Sequence, residues 1–128
     1  MEISFSWQRT AGRLTPNCQS SIVNKDGVSP LACLLTDDGG QHYLSTIPWL
    51  DIGIDRVNSI RNNEIATSDW DRDAWGAEIN SNEVKIFSLY DETYFELVGI
   101  NAFEKALSAW REFIQLEPAI GLVKTNEI

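Results

Sequence analysis

From Ala74 to Pro118 the apolar positions first alternate and then recur every three or four residues, a change of period that predicts strands followed by a helix. Two polar turns divide the strands. About Asn80-Ser81-Asn82, Ile79 faces Val84, Glu78 faces Lys85 and Ala77 faces Ile86. About Asp91-Glu92-Thr93, pairing Tyr90 with Tyr94 sets Leu89 against Phe95, Phe87 against Leu97 and Ile86 against Val98. The expected unit is a three-stranded antiparallel meander. The helix is marked by Asn101 as a cap, Glu104 three residues on, the stripe Phe103, Ala106, Leu107, Trp110, Phe113 and Ile114, and Pro118 as a stop. This stripe is expected to cover the sheet face made by Phe87, Leu89, Phe95 and Leu97, each large side chain contributing roughly 1.5–3 kcal/mol before entropy is counted. The opposite face, with Trp75, Ala77, Ile79, Val84, Ile86 and Val98, is also too apolar for water and needs a cover from the first half of the chain or from a partner.

The first half carries weaker signals. Glu2 to Trp7 alternates, with Ile3, Phe5 and Trp7 on one side, and predicts a strand. Arg9 to Asn17, with Gly12 and Pro16, reads as a loop, and Ser20 to Asn24 as a short strand that turns at Lys25-Asp26-Gly27. Pro30 to Thr36 and Gln41 to Thr46 flank Asp37-Asp38-Gly39-Gly40 and read as a hairpin, although the run Leu31 to Leu35 also fits a helix. After Pro48 a short helix is expected from a cap at Asp51 to about Asn62, with Ile54, Val57 and Ile60 on its inner side. Glu64 to Asp73 is a polar approach to the meander, and the residues after Pro118 are expected to fray or lie along the surface. With no repeat or shift in composition, the 128 residues are expected to form a single domain. The predicted fold class is α+β: an antiparallel sheet with a C-terminal helix packed on one face and a short mid-chain helix.

Charge changes this picture because it is unevenly placed. The chain has a net charge of −9, and residues 64–104 hold ten of its nineteen acids but only Arg72 and Lys85 among its ten bases, so −8 of the total lies there. Such a concentration repels nucleic acid and steers a basic partner; it also keeps a small sheet soluble and discourages edge pairing. Three of the acids, Asp69, Asp71 and Asp73, alternate as at the start of a calcium loop, but Ala74 and Asn80 stand where that loop needs glycine and glutamate. No metal or other cofactor is expected. Cys18 and Cys33 lack the close spacing of a metal site, and the single histidine, His42, sits beside a turn with nothing to make it a base. Nucleophile, phosphate-loop and zinc-helix motifs do not occur, which points away from an enzyme, though paired carboxylates alone would escape such a search. The start of the chain has no basic region followed by an apolar run, and no stretch approaches the length of a membrane span, so the expected address is the cytoplasm with no membrane contact.

The run Tyr94-Phe95-Glu96-Leu97-Val98 leading into Ala102-Phe103-Glu104-Lys105-Ala106-Leu107-Ser108-Ala109-Trp110, in a small acidic chain without catalytic motifs, resembles the immunity proteins paired with contact-dependent growth inhibition and other polymorphic toxins of bacteria. The resemblance implies a non-enzymatic inhibitor that binds a cognate toxin, commonly a nuclease, and covers its cationic cleft. Asp69, Asp71, Asp73, Glu78, Asp91 and Glu92 are the candidate source of complementary charge, and Trp70, Tyr90 and Tyr94 the candidate aromatic anchors. An acidic adaptor or regulatory module is the alternative, and a carboxylate-based enzyme a second one.

Overall fold

The computed structural model covers residues 1–128. Strands β1 (Glu2–Thr10) and β2 (Arg13–Ser20) form a hairpin, followed by helices α1 (Pro30–Leu35) and α2 (Ile47–Arg61), the latter entered through a 3₁₀ turn at Tyr43–Thr46. Strands β3 (Thr67–Asp71), β4 (Trp75–Asn80), β5 (Glu83–Ser88) and β6 (Asp91–Gly99) lead into α3 (Ile100–Phe113), and β7 (Val123–Glu127) closes the chain. The fold is α+β, with two antiparallel sheets rather than one: β2-β1-β7 and β3-β4-β5-β6. No helix is long and apolar enough to cross a membrane.

The predicted meander is present and gains a strand. Glu78 pairs with Lys85 and Ile79 with Val84 as the alternation requires. Along the next pair the register is two residues away from expectation: Phe87 faces Phe95 and Val84 faces Val98, with an irregularity at Phe87/Ser88 that moves the turn to Leu89-Tyr90. An even shift keeps every side chain on its face. The polar approach contains β3, whose Ser68 and Trp70 point inward between exposed Thr67, Asp69 and Asp71.

The faces, however, are assigned the other way round from the expectation for the helix. Ala77, Ile79, Val84, Ile86 and Val98 are buried in one core with the α3 stripe, whereas Leu89, Phe95 and Leu97 are exposed. Helix α3 does not lie over Phe87 and its neighbours; it bridges the two sheets. Trp110 meets Phe5 edge-on at 5.1 Å between ring centroids, Phe113 stacks on Trp7 at 5.1 Å, and Phe103 meets Trp70 edge-on at 6.0 Å. The reason is the second sheet, whose Ile3, Phe5 and Trp7 offer the stripe an apolar partner that no single-sheet reading contains.

Several local expectations are also corrected. Arg9 to Asn17 is a hairpin: Ala11 and Gly12 take the positive φ that a two-residue turn demands, and Pro16 is tolerated because β2 is an edge strand. Strand β2 accordingly ends at Ser20, where the predicted short strand was to begin, while the turn after it forms with Asn24 Oδ1 accepting from Asp26 and Val28 N–H. No hairpin forms over Pro30–Thr46; of the two readings for Leu31 to Leu35 the helix holds, as α1, whose proline occupies the first turn and whose Ser29 Oγ accepts from Ala32 N–H. Pro48 likewise starts α2 instead of preceding it, and Asp51 is no cap but accepts from Arg111 Nε at 2.5 Å. Asn101 does not cap α3; its Oδ1 and the carboxylate of Glu104 accept from Arg61, tying α3 to α2. The residues after Pro118 include β7, which pairs with β1 along Glu2–Ser6.

A candidate docking face on the four-stranded sheet

The inner face of β3-β4-β5-β6 is sealed by the core, so the alternation of each strand puts a second set of side chains on the outer face. Register lines them up in rungs: Asp69, Glu78, Lys85, Leu97 across one and Asp71, Gly76, Phe87, Phe95 across the next. The β3–β4 half of this face is therefore acidic and the β5–β6 half apolar. Phe95 is 47% exposed, Leu97 52% and Leu89 37%, whereas Phe87 lies beneath them, nearly closed off. A shallow hollow of about 330 Å³ lies between Asp69, Glu78, Lys85 and Leu97, where the two halves meet.

The acids on this face are not neutralised within the chain. The three ion pairs of the protein involve Met1 and Glu127, Arg61 and Glu104, and Arg111 and Asp51. Lys85 stands directly across from Glu78, but its ammonium lies over the rings of Phe87 and Phe95, 5.5 and 5.0 Å from their centroids. The Asp71 carboxyl is held above its ordinary value, first by burial and then by the charge of Asp69, with a hydrogen bond from Ala77 N–H opposing the shift.

Gly76 is what allows the acidic and apolar halves to touch. A Cβ at this position would collide with the carboxylate of Asp71 and come within 3.0 Å of Leu89 Cδ2, so only a bare backbone lets both side chains fold over it. Isolated glycines in strands often mark a close approach of this kind, and that is the one sequence signal that could have found it.

Of the residues predicted as partner-binding, Asp69, Asp71 and Glu78 stand together on this face. Tyr90, 83% exposed, is at the β5–β6 turn with Asp91 and Glu92, also exposed. Asp91 shapes that turn: its Oδ1 accepts from the hydroxyl and the N–H of Thr93 at 2.6 and 3.0 Å, and these bonds hold its carboxyl below the usual value. Asp73 is exposed in the β3–β4 turn, away from the rungs. Tyr94 belongs to the opposite side of β6, its ring 6.1 Å from that of Trp75 and its hydroxyl donating to Asp26.

Trp70 cannot serve as a surface anchor, because only 3% of it is exposed. It stacks on Trp49 with centroids 3.9 Å apart and planes 9° from parallel. The two indoles cross-brace α2 and β3: Trp70 Nε1 donates to Trp49 O at 3.0 Å and Trp49 Nε1 to Asp71 O at 2.9 Å. Gly53 makes room for this, since a Cβ there would come within 2.6 Å of the Trp70 ring. Both polar tips are satisfied inside the protein, so nothing in Trp70 is left for a partner.

A larger cleft of about 730 Å³ lies elsewhere, between the β1–β2 hairpin and the loop Asp38–Tyr43, with Trp110 and Leu35 at its base. Its His42 is already engaged, since Nδ1 accepts from Leu44 N–H and the ring stacks on Tyr43. No group of three or more His, Cys, Asp or Glu side chains is placed to hold a metal ion. Both cysteines are free thiols; burial and the neighbouring Cys33 push Cys18 up to about 12, and burial followed by Asp37 and Glu96 pushes Cys33 up. Size alone would favour this cleft as a site for a small ligand. The sheet face is the stronger candidate for a macromolecule, since it sets three unpaired carboxylates in register beside three large exposed apolar side chains.

What the coordinates define is a small α+β protein whose four-stranded sheet has an acidic and apolar outer face. The chain belongs to DUF5376, a family of unknown function, whose sequence profile matches residues 1–120. The match takes in both sheets except β7. No curated protein and no solved structure matches the chain.

Proposed function

We propose that the chain is an immunity protein that acts in the cytoplasm by binding a cognate toxin, a basic nuclease domain, and occluding its cationic cleft. The observation that carries this reading is the outer face of the four-stranded sheet, where Asp69, Asp71 and Glu78 lie unpaired beside Phe95, Leu97 and Leu89. A nuclease cleft is built to attract a polyanion, and a rigid acidic sheet offers it the same sign of charge without a scissile bond. The carboxylates would set the rate of encounter, and the exposed apolar half would set the lifetime of the complex. An inhibitor of a catalytic toxin must hold nearly every molecule, so a nanomolar or tighter complex, about −12 kcal/mol, is expected.

The test is to recover the chain with its partner from its native cell, identify that partner by mass, and titrate the partner's nuclease activity with the purified chain. Stoichiometric inhibition that is relieved by competing nucleic acid supports occlusion. Inhibition that persists undiminished while a nucleic-acid fragment occupies the nuclease cleft overturns it, and a partner without nuclease activity would move the chain to the adaptor reading.

A further inference from the structure

Both sheets are open, so four strands have a free side: β2, β7, β3 and β6. Proteins protect such edges with brevity, charge, proline, bulges or a cover. Strand β2 carries Pro16, and α1, which also packs against β4, β5 and β6, does not distinguish the edges. Strands β7 and β3 are five residues each, the first with Lys124 and Glu127, the second with Asp69 and Asp71 on its exposed face. Strand β6 is nine residues long, and its segment from Phe95 to Gly99 pairs with β5 in unbroken register, the irregularity being confined to the turn end. No proline interrupts it, and none of the turn, loop or cap hydrogen bonds of the backbone reaches residues 91–99. Its centre, Thr93-Tyr94-Phe95-Glu96-Leu97-Val98, is rich in β-branched and aromatic residues.

From Tyr94 to Val98 the strand's one charged side chain, Glu96, is turned away from this edge. Lys85 lies over Phe87 and Phe95, and the half-buried Glu96 accepts from Leu31 N–H at 3.1 Å beneath the sheet. What remains from Tyr94 to Val98, on the side away from β5, is a row of backbone donors and acceptors that no turn, loop or cap of the chain reaches, bordered on the outer face by Phe95 and Leu97.

We propose that the free edge of β6 from Tyr94 to Val98 is a strand-addition site, at which an extended segment of a basic partner becomes the fifth strand of the sheet. This inference rests on the docking reading above and names how the partner is held: main-chain hydrogen bonds along β6 supply affinity, and alternate side chains of the added strand lie against Phe95 and Leu97. Charge decides between a basic partner and a second copy of the chain. Pairing β6 with itself would bring two molecules of net charge −9 together along strands that each begin with Asp91 and Glu92. A strand with lysine or arginine at alternate positions meets those acids with the opposite sign.

Hydrogen exchange followed by NMR on the whole chain tests the inference. In the free protein the amides of Tyr94–Val98 should split into a slow set bonded to β5 and a fast set facing away from it. The probe is a synthetic nonapeptide of alternating lysine and valine, added at millimolar concentration, and the fast set should then slow at least tenfold. Proline placed at one of the fast positions removes no hydrogen bond of the fold and should abolish that protection with little change in melting temperature. A companion variant with Asp69→Asn, Asp71→Asn and Glu78→Gln separates the two readings. If the peptide binds with loss in the acid variant but not in the proline variant, strand addition is overturned and the docking face stands. If the peptide leaves every amide of β6 unprotected and shifts no resonance of the outer face, both are overturned.

Discussion

The outer faces of the two sheets differ in kind. On the three-stranded sheet the outward residues of β1 are Glu2, Ser4, Ser6 and Gln8, lined up with Gln19, Asn17 and Thr15 on β2 and with Glu127, Thr125 and the exposed Val123 on β7. They bond sideways to one another, as Ser4 Oγ and Thr125 Oγ1 do at 3.1 Å. The four-stranded sheet has a core face just as apolar, yet half of its outer face is also apolar and the other half carries unpaired acids. Apart from Val123 the first sheet leaves only polar groups outside when the core is buried; the second still presents a cluster of apolar side chains that folding of this chain does not remove from water. An apolar excess beyond what the core needs, next to charge of one sign, is the property expected of a docking surface.

Four measurements would break or sharpen that contrast. The largest effect belongs to the core side of β3. Trp70→Ala removes a buried, stacked and hydrogen-bonded indole, and should cost about 3–5 kcal/mol. Thermal unfolding would show this as a large loss of stability, and a melting temperature near that of the wild type would mean that Trp49 and Trp70 do not brace α2 as described.

Next comes the outer face a strand's width away. Phe95→Ser combined with Leu97→Ser should leave the melting temperature within a few degrees, because both side chains are already about half exposed, while partner affinity falls by roughly 2 kcal/mol or more, about thirtyfold. Calorimetric titration of the recovered partner decides it. Unchanged affinity would reduce the apolar half of the face to incidental exposure.

A smaller and salt-dependent effect is expected from Asp69→Asn, Asp71→Asn and Glu78→Gln together. Surface carboxylates without ion partners add little to stability, so folding should be unaffected. Association with the partner should slow, most of all at low ionic strength. Stopped-flow rates that are equal for both proteins across salt would leave solubility as the role of these acids.

The smallest effect concerns Glu96, which the burial beneath β6 raises above its ordinary value of 4.5, partly offset by the hydrogen bond from Leu31 N–H. A carboxyl whose folded pKa is raised binds more protons in the native state, so it lowers stability as pH rises from 4.5 through the folded value. Glu96→Gln keeps an oxygen to accept from Leu31 and should flatten that decline in melting temperature above pH 4.5. Asp91 has the opposite sign: its lowered carboxyl contributes stability that is lost as pH falls through the folded value. A Gln variant with an unaltered pH profile would place the titration elsewhere.

The same contrast explains what the sequence could reveal. Glu2–Trp7 alternates cleanly because one face of its sheet is wet, so period and face are read together. The meander is apolar on both faces; its strands and the β4–β5 register follow from the alternation, but alternation cannot say which face is the core, and α3 was expected on the wrong one. Strand β3 escaped notice since Asp69, Asp71 and Asp73 look like a polar linker until Trp70 and Ser68 are seen to face inward. The acids of the candidate site were legible from charge density alone. Phe95, Leu97 and Gly76 were not, because their roles depend on a cover that is absent and on a contact between neighbouring strands.

The position of β1 has a consequence for how the molecule comes into being. It lies between β2, its hairpin partner, and β7, formed by residues 123–127, and Ile128 N–H bonds to Met1 O. Strand β1 is thus completed only by β7, across a loop that takes in every other element of the fold and whose closure costs about 4 kcal/mol of entropy. Until β7 docks, one edge of Glu2-Ile3-Ser4-Phe5-Ser6 has no strand beside it, and a folding intermediate that lacks β7 is open to pairing along that edge with another copy of the chain.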